Sequence, residues 1–473
     1  MEDNSHLAFW AVVWLIVIAV VIIKQWRDRA TSAGISFSFL LNLWVIFWPG
    51  AVVYLLPWYL LYEQGDNLNL VEAGFQQSAY AAISFAAGTV ILAPFLMRLF
   101  QFPRRKAVTR IPDPRLAKIY LVIGLVFFLG WFSPISRIRT IGALFGVGWN
   151  FLVVGVCLGC WKAWQDKRRR AFLAWLAIAF GFPLITIVVL GFLSFGIMLF
   201  LSVFTFISSF IRPRWKFIVA TLLLAYLGIS FLGTYNRGKE AIREVVWAEE
   251  AAPLVDRLVD RVDRLYLTLG NFEWFDPFNP IHLLLMDLRL NMGLQVGRAV
   301  EYLASGNAEY ARGETIWEAI IGTIPAALWP DKPVVTGGSD FVSRYTGLEF
   351  GEATSVAIGL VMEFYVNFGT IGVVLGFLCL GVIVAFVDVA SGRCLAMGDW
   401  RGFALWFLVG IALVKAETSL VILTTGAGAA VVTAIIVNRY LINQFAWKRR
   451  IAAGAMARSS TESTQGLPQP GLK

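Results

Sequence analysis

The sequence is short of charge and of the residues that bind metals. Only 15% of its 473 residues are charged, and it contains two histidines and four cysteines. These few residues show no metal-ligand spacing, which argues against a zinc enzyme and gives no reason to assign a metal or a cofactor. Cys157 and Cys160 have a CxxC spacing, but they lie in an apolar run without a second ligand pair, so we predict neither a redox motif nor a disulfide framework.

What the sequence has in excess is apolar residues. Hydrophobic residues make up 58% of the chain and its mean hydropathy is +0.70, which is more apolar surface than one soluble core of this length can bury. Apolar runs of bilayer-crossing length predict about eleven transmembrane helices in an all-α polytopic membrane protein. We place them near 7–23, 37–61, 78–97, 119–134, 141–163, 171–188, 190–211, 216–234, 368–389, 402–416 and 419–438, with the unbroken stretch 171–211 divided near Gly191.

A long polar segment interrupts these spans once. Residues 236–354 are charged and amphipathic, and we predict one large, mainly helical extracytoplasmic loop there. This loop separates N-terminal transmembrane helices in 1–235 from C-terminal ones in 355–447, and 448–473 is predicted to be a cytoplasmic tail, largely disordered. The sequence has no internal repeat, which argues against a transporter built from inverted repeats.

Basic residues mark one side of the membrane. The connections after the first, third, fifth and seventh spans are rich in Lys and Arg, which favour the cytoplasm. This pattern places the N-terminus and 236–354 outside and the C-terminus inside. Because 236–354 carries 11 basic and 18 acidic residues, the overall charge of +9 belongs to the cytoplasmic rim, where it fits contact with membrane lipids and not with nucleic acid.

Three segments of the loop have interpretable patterns. One helix is predicted over 239–268, as a salt-bridged surface helix or a phosphate-binding one. A second is predicted over 281–303, where Asp287, Asn291, Arg298 and Glu301 share one stripe that faces either solvent or a substrate, with Arg289 on another side. Because 322–333 is rich in proline and apolar residues, we predict a rigid, packed connection with Trp329 buried.

From this point the chain resembles a known family. Ile324-Pro325, the run Trp329 to Pro333, a segment with Gly and Ser, and the run Glu363 to Gly369 are similar to the Wzy-type O-antigen polymerases. The resemblance covers about 285–370. One departure is Ala326, which stands where many members have Arg after the Ile-Pro pair. If that Arg binds substrate, then Lys332, Arg344 or Arg298 would replace it here.

The resemblance implies a glycosyltransferase of the bacterial inner membrane. Its substrates would be oligosaccharide repeat units linked to undecaprenyl diphosphate, and the growing glycan would move onto an incoming unit outside the cytoplasm. It also suggests a chain-length regulator and a flippase as partners. A ligase-like transferase with another acceptor, and a glycolipid flippase or transporter, are the alternatives.

This chemistry needs cations for the leaving diphosphate and a carboxylate for the attacking hydroxyl. The substrate-binding candidates are outer cations, two of which stand against the positive-inside trend in a short outer connection: Arg137, Arg139, Arg237, Lys239, Arg289, Arg298, Lys332 and Arg344. Glu363, Asp340 and Glu301 are rival catalytic bases. Glu363 has a structural alternative, as a hydrogen-bonded acid that fixes the return of the chain into the membrane.

Overall fold

The computed structural model describes residues 4–27, 32–63, 67–102, 113–211, 215–247, 254–324, 329, 338–351, 354 and 356–442. Every regular element in these ranges is a helix. The N-terminal half has α1 Ser5–Arg27, α2 Ile35–Val53, α3 Pro57–Glu63, α4 Leu68–Ala87, α5 Ala93–Leu99, α6 Arg115–Trp131, α7 Arg139–Gly148, α8 Phe151–Gln165, α9 Arg169–Leu190, α10 Leu193–Phe210 and α11 Trp215–Trp247. A π-helical turn, Gly88–Leu92, joins α4 to α5.

The remaining helices belong to the loop and to the C-terminal spans. They are α12 Leu254–Gly270, α13 Pro280–Leu290, α14 Met292–Ala304, α15 Glu314–Gly322, α16 Gly338–Thr346, α17 Leu360–Ala396, α18 Trp400–Leu413 and α19 Leu420–Ile436. We call the end of the bundle that carries α12 to α16 the loop face.

The protein is a multi-pass membrane protein. Within the described ranges, nine helices are long and apolar enough to cross a bilayer. Two predicted spans, 119–134 and 402–416, coincide with shorter helices, the 17-residue α6 and the 14-residue α18. The division near Gly191 is confirmed: α9 ends there, and Gly191 has a φ of 74°, a left-handed conformation that favours glycine.

The predicted helix over 239–268 is wrong. Its first part continues α11, which runs unbroken to Trp247, and its second part is the separate helix α12. The sequence has Pro253 directly before α12, and proline lacks the backbone donor that a helix interior needs. Helix α12 runs back along α11, since Arg261 Nη2 donates to the Val246 carbonyl at 2.8 Å while Thr268 packs on Gly238.

The predicted helix over 281–303 is also wrong, because α13 and α14 meet at a break. Asn291, between them, has φ −127° and ψ 74°. Each helix contacts a different membrane helix: α13 packs on α2, and α14 crosses α4 so closely that a Cβ at Gly74 would overlap the Gly293 carbonyl. One straight helix could not serve both contacts. The break also removes the predicted single stripe through Asp287 and Glu301.

Helix α17 reverses direction near its start. Phe368 and Gly369 have non-helical backbone angles, and Gly369 has φ 61° and ψ −151°. The rings of Phe364 and Phe377 lie 5.6 Å apart between centroids, although a straight helix would separate these positions by about 20 Å. Residues 360–367 are therefore a short arm folded back against the spanning helix, which begins at 369–370.

Candidate functional site

Some predicted residues fall outside the described part of the chain. Lys332 does so entirely, and so do the side chains of Arg137 and Arg139, whose backbones lie at the end of the turn Pro134–Arg137 and at the start of α7. Trp329, predicted to be buried, is 39% exposed, so that prediction is wrong. An indole is large, and its full burial is rare.

The other candidates are spread over five helices. They are Arg237 and Lys239 on α11, Arg289 on α13, Arg298 and Glu301 on α14, Asp340 and Arg344 on α16, and Glu363 on α17. Lys239 pairs with its neighbour Glu240 at 3.4 Å. Arg289, Glu301, Asp340 and Arg344 are exposed, whereas Arg298 is half-buried.

Glu363 is a buried side chain with structural contacts. It is 2% exposed, and one of its carboxylate oxygens accepts the backbone N–H of Leu420 at 2.6 Å, in the first turn of α19. Thr315 of α15 also hydrogen-bonds to it, and the Asn367 amide donates to the Thr315 hydroxyl at 2.7 Å. Glu363 therefore ties α15, α17 and α19 together. This geometry fits the structural alternative better than a base that must reach a sugar hydroxyl.

A second acidic group lies beside that junction. Glu314 of α15 pairs with Arg344 of α16 at 3.5 Å, and both side chains are more than half exposed. Burial, and then the charge of Glu314, raise the pKa of Glu318, while Arg344 acts in the opposite direction. Arg344 thus lies beside two carboxylates of α15.

The loop face has an amphipathic pocket between α11 and α13. It is partly open to solvent, and the space inside it that a water molecule can occupy is about 10 Å³. Arg237, Glu273 and His282 form its polar end, and the rest of its wall is mostly apolar: Ile229, Leu232, Gly233, Phe275, Leu285 and Met286, with Ser230. Ile229 lies about 12 Å below Arg237 along α11, so the pocket is polar towards the loop face and apolar towards the membrane interior.

One wall of the pocket is a non-helical segment, 271–279, that runs antiparallel to α11. The backbone N–H of Glu273 donates to Thr234 Oγ1 at 3.3 Å, and that of Phe275 donates to Ser230 Oγ at 2.9 Å. The Tyr226 hydroxyl donates to the Phe275 carbonyl at 2.9 Å. Non-helical backbone is tolerated beside a membrane helix only when its polar groups are satisfied, and α11 provides these partners.

Exposed aromatic side chains lie beside the segment 271–279. Trp274, 59% exposed, stacks on Tyr226 with 5.8 Å between ring centroids. Trp58 of α3 donates to the Pro277 carbonyl at 3.0 Å and contacts the exposed ring of Phe278. Exposed Trp and Tyr rings are typical of the membrane–water interface.

The polar end of the pocket is a connected group of three side chains. One oxygen of Glu273 pairs with Arg237 and lies 3.4 Å from His282 Nε2. The Asp276 backbone N–H donates to His282 Nδ1 at 3.0 Å, so Nε2 carries the ring proton and points it at Glu273. Glu273 remains about half exposed. A guanidinium that can bind phosphate and an accessible carboxylate that can take a proton thus lie side by side.

Sequence reasoning identified Arg237 but missed Glu273 and His282. One local signal was readable, because Asn279-Pro280 is a typical start of a helix. The Asn279 side chain does accept the Ile281 N–H at 3.0 Å. His282 therefore lies in the first turn of α13. Nothing local connects that turn with α11. Glu273 is 36 residues from Arg237, and only the fold brings them together.

The fold and this pocket define a multi-pass membrane protein with an amphipathic pocket at one face. Comparisons with protein-family models, curated proteins and solved structures find no match to the chain.

Proposed function

We propose that the protein polymerises oligosaccharide repeat units linked to undecaprenyl diphosphate at the extracytoplasmic face of the bacterial inner membrane. The observation that carries this proposal is the pocket between α11 and α13, whose polar end holds Arg237 and Glu273 above an apolar wall. A lipid-linked diphosphate has the same division, with charge at the headgroup and hydrocarbon below. The positive-inside pattern supports an extracytoplasmic loop face.

Two further observations support this function over a soluble-substrate enzyme. The sequence resemblance to Wzy-type polymerases covers 285–370, which includes α14 to α16 and the short arm of α17. The segment 271–279 brings exposed aromatic rings to the pocket mouth, and such rings are typical of the membrane–water interface. A substrate anchored in the bilayer would meet the pocket there.

The residues have distinct roles in the proposed reaction. Arg237 binds the diphosphate of the donor, and Glu273 takes the proton from the attacking sugar hydroxyl. The hydroxyl oxygen forms a bond to the anomeric carbon of the donor, and the bond from that carbon to the diphosphate breaks. The diphosphate leaves with the electron pair and is stabilised by the guanidinium. His282 positions Glu273 through its Nε2–H and contacts no reacting atom.

A pair of isosteric variants tests this assignment. Glu273→Gln removes the base and should lower the polymerisation rate of purified protein by about 100-fold or more. Glu363→Gln keeps an acceptor for Leu420 and should leave the rate near wild type. Polymer length and yield are measured by gel electrophoresis, with lipid-linked repeat units in vesicles as substrate and melting temperature as the folding control.

Two outcomes would overturn the proposal. Full activity of a normally folded Glu273→Gln protein would show that the pocket carboxylate is not the base. Wild-type protein that moves labelled repeat units across the vesicle membrane without joining them would favour the transporter alternative.

A further inference from the structure

The connection between α18 and α19 lies inside the membrane bundle. Helix α18 has 14 residues and is about 21 Å long, shorter than the roughly 30 Å of bilayer hydrocarbon. The chain then passes through the turn 414–419, and the Asn42 amide donates to the Val414 carbonyl at 2.7 Å. Asn42 is buried and is the eighth residue of the 19-residue spanning helix α2. The turn therefore meets α2 near the middle of that helix and not at its end.

The short arm of α17 is fixed to the same turn. The Gly359 backbone N–H donates to the Glu417 carbonyl at 3.1 Å. The Leu360 backbone N–H donates to the Ala416 carbonyl at 3.0 Å. Just beyond the turn, the first helical residue of α19 donates its N–H to Glu363 of the arm, which also joins the arm to α15. The turn, the arm and α15 are therefore one connected unit, and a movement of the turn reaches the loop helices.

The turn carries two ionisable side chains, Lys415 and Glu417, that do not pair with each other. Both are half-buried. Glu417 Oε2 is shielded from solvent and has no hydrogen-bond partner. The charge of Glu417 acts on Lys415, yet the Lys415 ammonium forms no hydrogen bond or ion pair with any residue in the described ranges. Ionisable groups at membrane depth are costly to keep, and they mark functional sites more often than structural ones.

A neutral Glu417 explains both of these observations. An ionised carboxylate with a buried, unpartnered oxygen is strongly disfavoured, whereas a neutral carboxyl group is far less costly to bury. Opposite charges two residues apart at membrane depth would also be drawn together, because a low dielectric strengthens their attraction. The orphaned oxygen and the missing ion pair therefore indicate a bound proton. A metal cation in its place is disfavoured by the neighbouring ammonium of Lys415.

Few other charges face the turn. Helix α19 has no charged residue, and α18 has only Arg401, at the end away from the turn. From α2 the turn meets Asn42, which does not titrate and lies beside Glu417. The arm brings Glu363, with Glu318 of α15 close enough for its charge to act on Glu363. Among the described acids near the turn, Glu417 is the one with an orphaned oxygen.

We propose that Glu417 is a proton-binding site inside the membrane bundle and that its proton holds the arm 360–367 on the turn. With the proton bound, the hydrogen bonds from Gly359 and Leu360 to the turn are made. When Glu417 gives its proton to water, the carboxylate pairs with Lys415, and the turn that carries both acceptor carbonyls rearranges. The docked arm thus favours the protonated acid, so docking weakens as the pH rises. This inference does not rest on the proposed function.

Amide hydrogen exchange of Gly359 and Leu360 tests the site in full-length protein in phospholipid nanodiscs. Glu417→Gln keeps the shape of the neutral acid and cannot ionise. We expect wild type and Glu417→Gln to exchange these amides equally at about pH 6, and wild type to exchange them about tenfold faster at about pH 9. The matched control is Glu349→Gln, which changes an exposed carboxyl group of the loop and should behave like wild type. Comparison at one pH cancels the intrinsic pH dependence of exchange.

A second variant tests the role of Lys415. Lys415→Met removes the partner of the ionised carboxylate, so the faster exchange should begin about one pH unit or more above its wild-type onset. An unchanged onset in folded Lys415→Met protein would overturn the proposed switch.

Two further results would overturn the site itself. One is equal exchange of wild type and Glu417→Gln at about pH 9. The other needs only the wild type, and so decides even if Glu417→Gln fails to fold: exchange of Gly359 and Leu360 that follows the intrinsic pH dependence alone over the same range. Neither measurement involves polymerisation, so both outcomes leave the proposed function untouched.

Discussion

The packed centre of the molecule and the α11–α13 edge use carboxylates in opposite ways. Glu363, Asp287 and Asp388 are buried, and each accepts several hydrogen bonds between helices. Asp388, for example, accepts the backbone N–H groups of Ala33 and Ile35 and so caps α2 from α17. Glu273 at the edge is about half exposed and is held on one side only. The comparison teaches that position near the membrane boundary does not distinguish a buried structural acid from one that a substrate can reach, whereas remaining exposure does.

The largest expected effect comes from breaking a carboxylate of the packed centre. Asp287 accepts the hydroxyls of Tyr54 and Tyr59, each at 2.7 Å, and the Asn291 amide at 2.6 Å. Asp287→Ala removes the acceptor of three hydrogen bonds, two of them from buried hydroxyls, and we expect a loss of about 4 kcal/mol in unfolding free energy. Denaturation of purified protein in detergent measures this loss.

A matched variant sharpens that result. Tyr59→Phe removes a single hydrogen bond and should cost only about 1 kcal/mol. Equal stabilities of wild type and Asp287→Ala would contradict the view that these buried acids hold the loop helices on the bundle.

A smaller effect is expected at the reversal of α17. Gly369 has backbone angles that residues with a Cβ avoid, and an added Cβ would meet its first neighbour, the Tyr310 hydroxyl, only at 3.7 Å. Gly369→Ala therefore adds backbone strain without a clash, and we expect a loss of about 2 kcal/mol.

The control for Gly369→Ala is Gly181→Ala on α9. Gly181 lies in a helix, and an added Cβ would meet Ile185 Cδ1 at 3.8 Å, an ordinary van der Waals contact, so alanine should leave stability unchanged or raise it by about 1 kcal/mol. Thermal melting of both variants gives the comparison. A Gly369→Ala protein as stable as Gly181→Ala would mean that the arm 360–367 does not fold back as described.

Sequence patterns predicted the spans well, because hydropathy over about 20 residues reports directly on the bilayer. The division at Gly191 and the start of the span 368–389 were both readable. The breaks inside the loop were not. Asn291 interrupts a good helical pattern only because α13 and α14 pack on different membrane helices, and the reversal at Phe368 lies in a run that reads as continuous apolar helix.

The candidate site was predictable only in part. Arg237 was accessible to sequence reasoning because it is a cation at the end of a span. Glu273 and His282 reach Arg237 because the segment 271–279 runs along α11. Hydrogen bonds to the side chains of Ser230 and Thr234 hold that segment in place. Serine and threonine in an apolar span carry no signal of that kind. Charge alone does not distinguish Arg237 from the cations in α14 and α16.

The central claim, that the α11–α13 pocket binds a lipid-linked diphosphate, is tested most directly by filling it. Gly233 lines the pocket, and Gly228 on the same helix does not; a Cβ at either position meets no atom within 4 Å. Gly233→Leu should abolish equilibrium binding of undecaprenyl diphosphate to purified protein, whereas Gly228→Leu should bind it like wild type. Unchanged binding by a folded Gly233→Leu protein would contradict the claim.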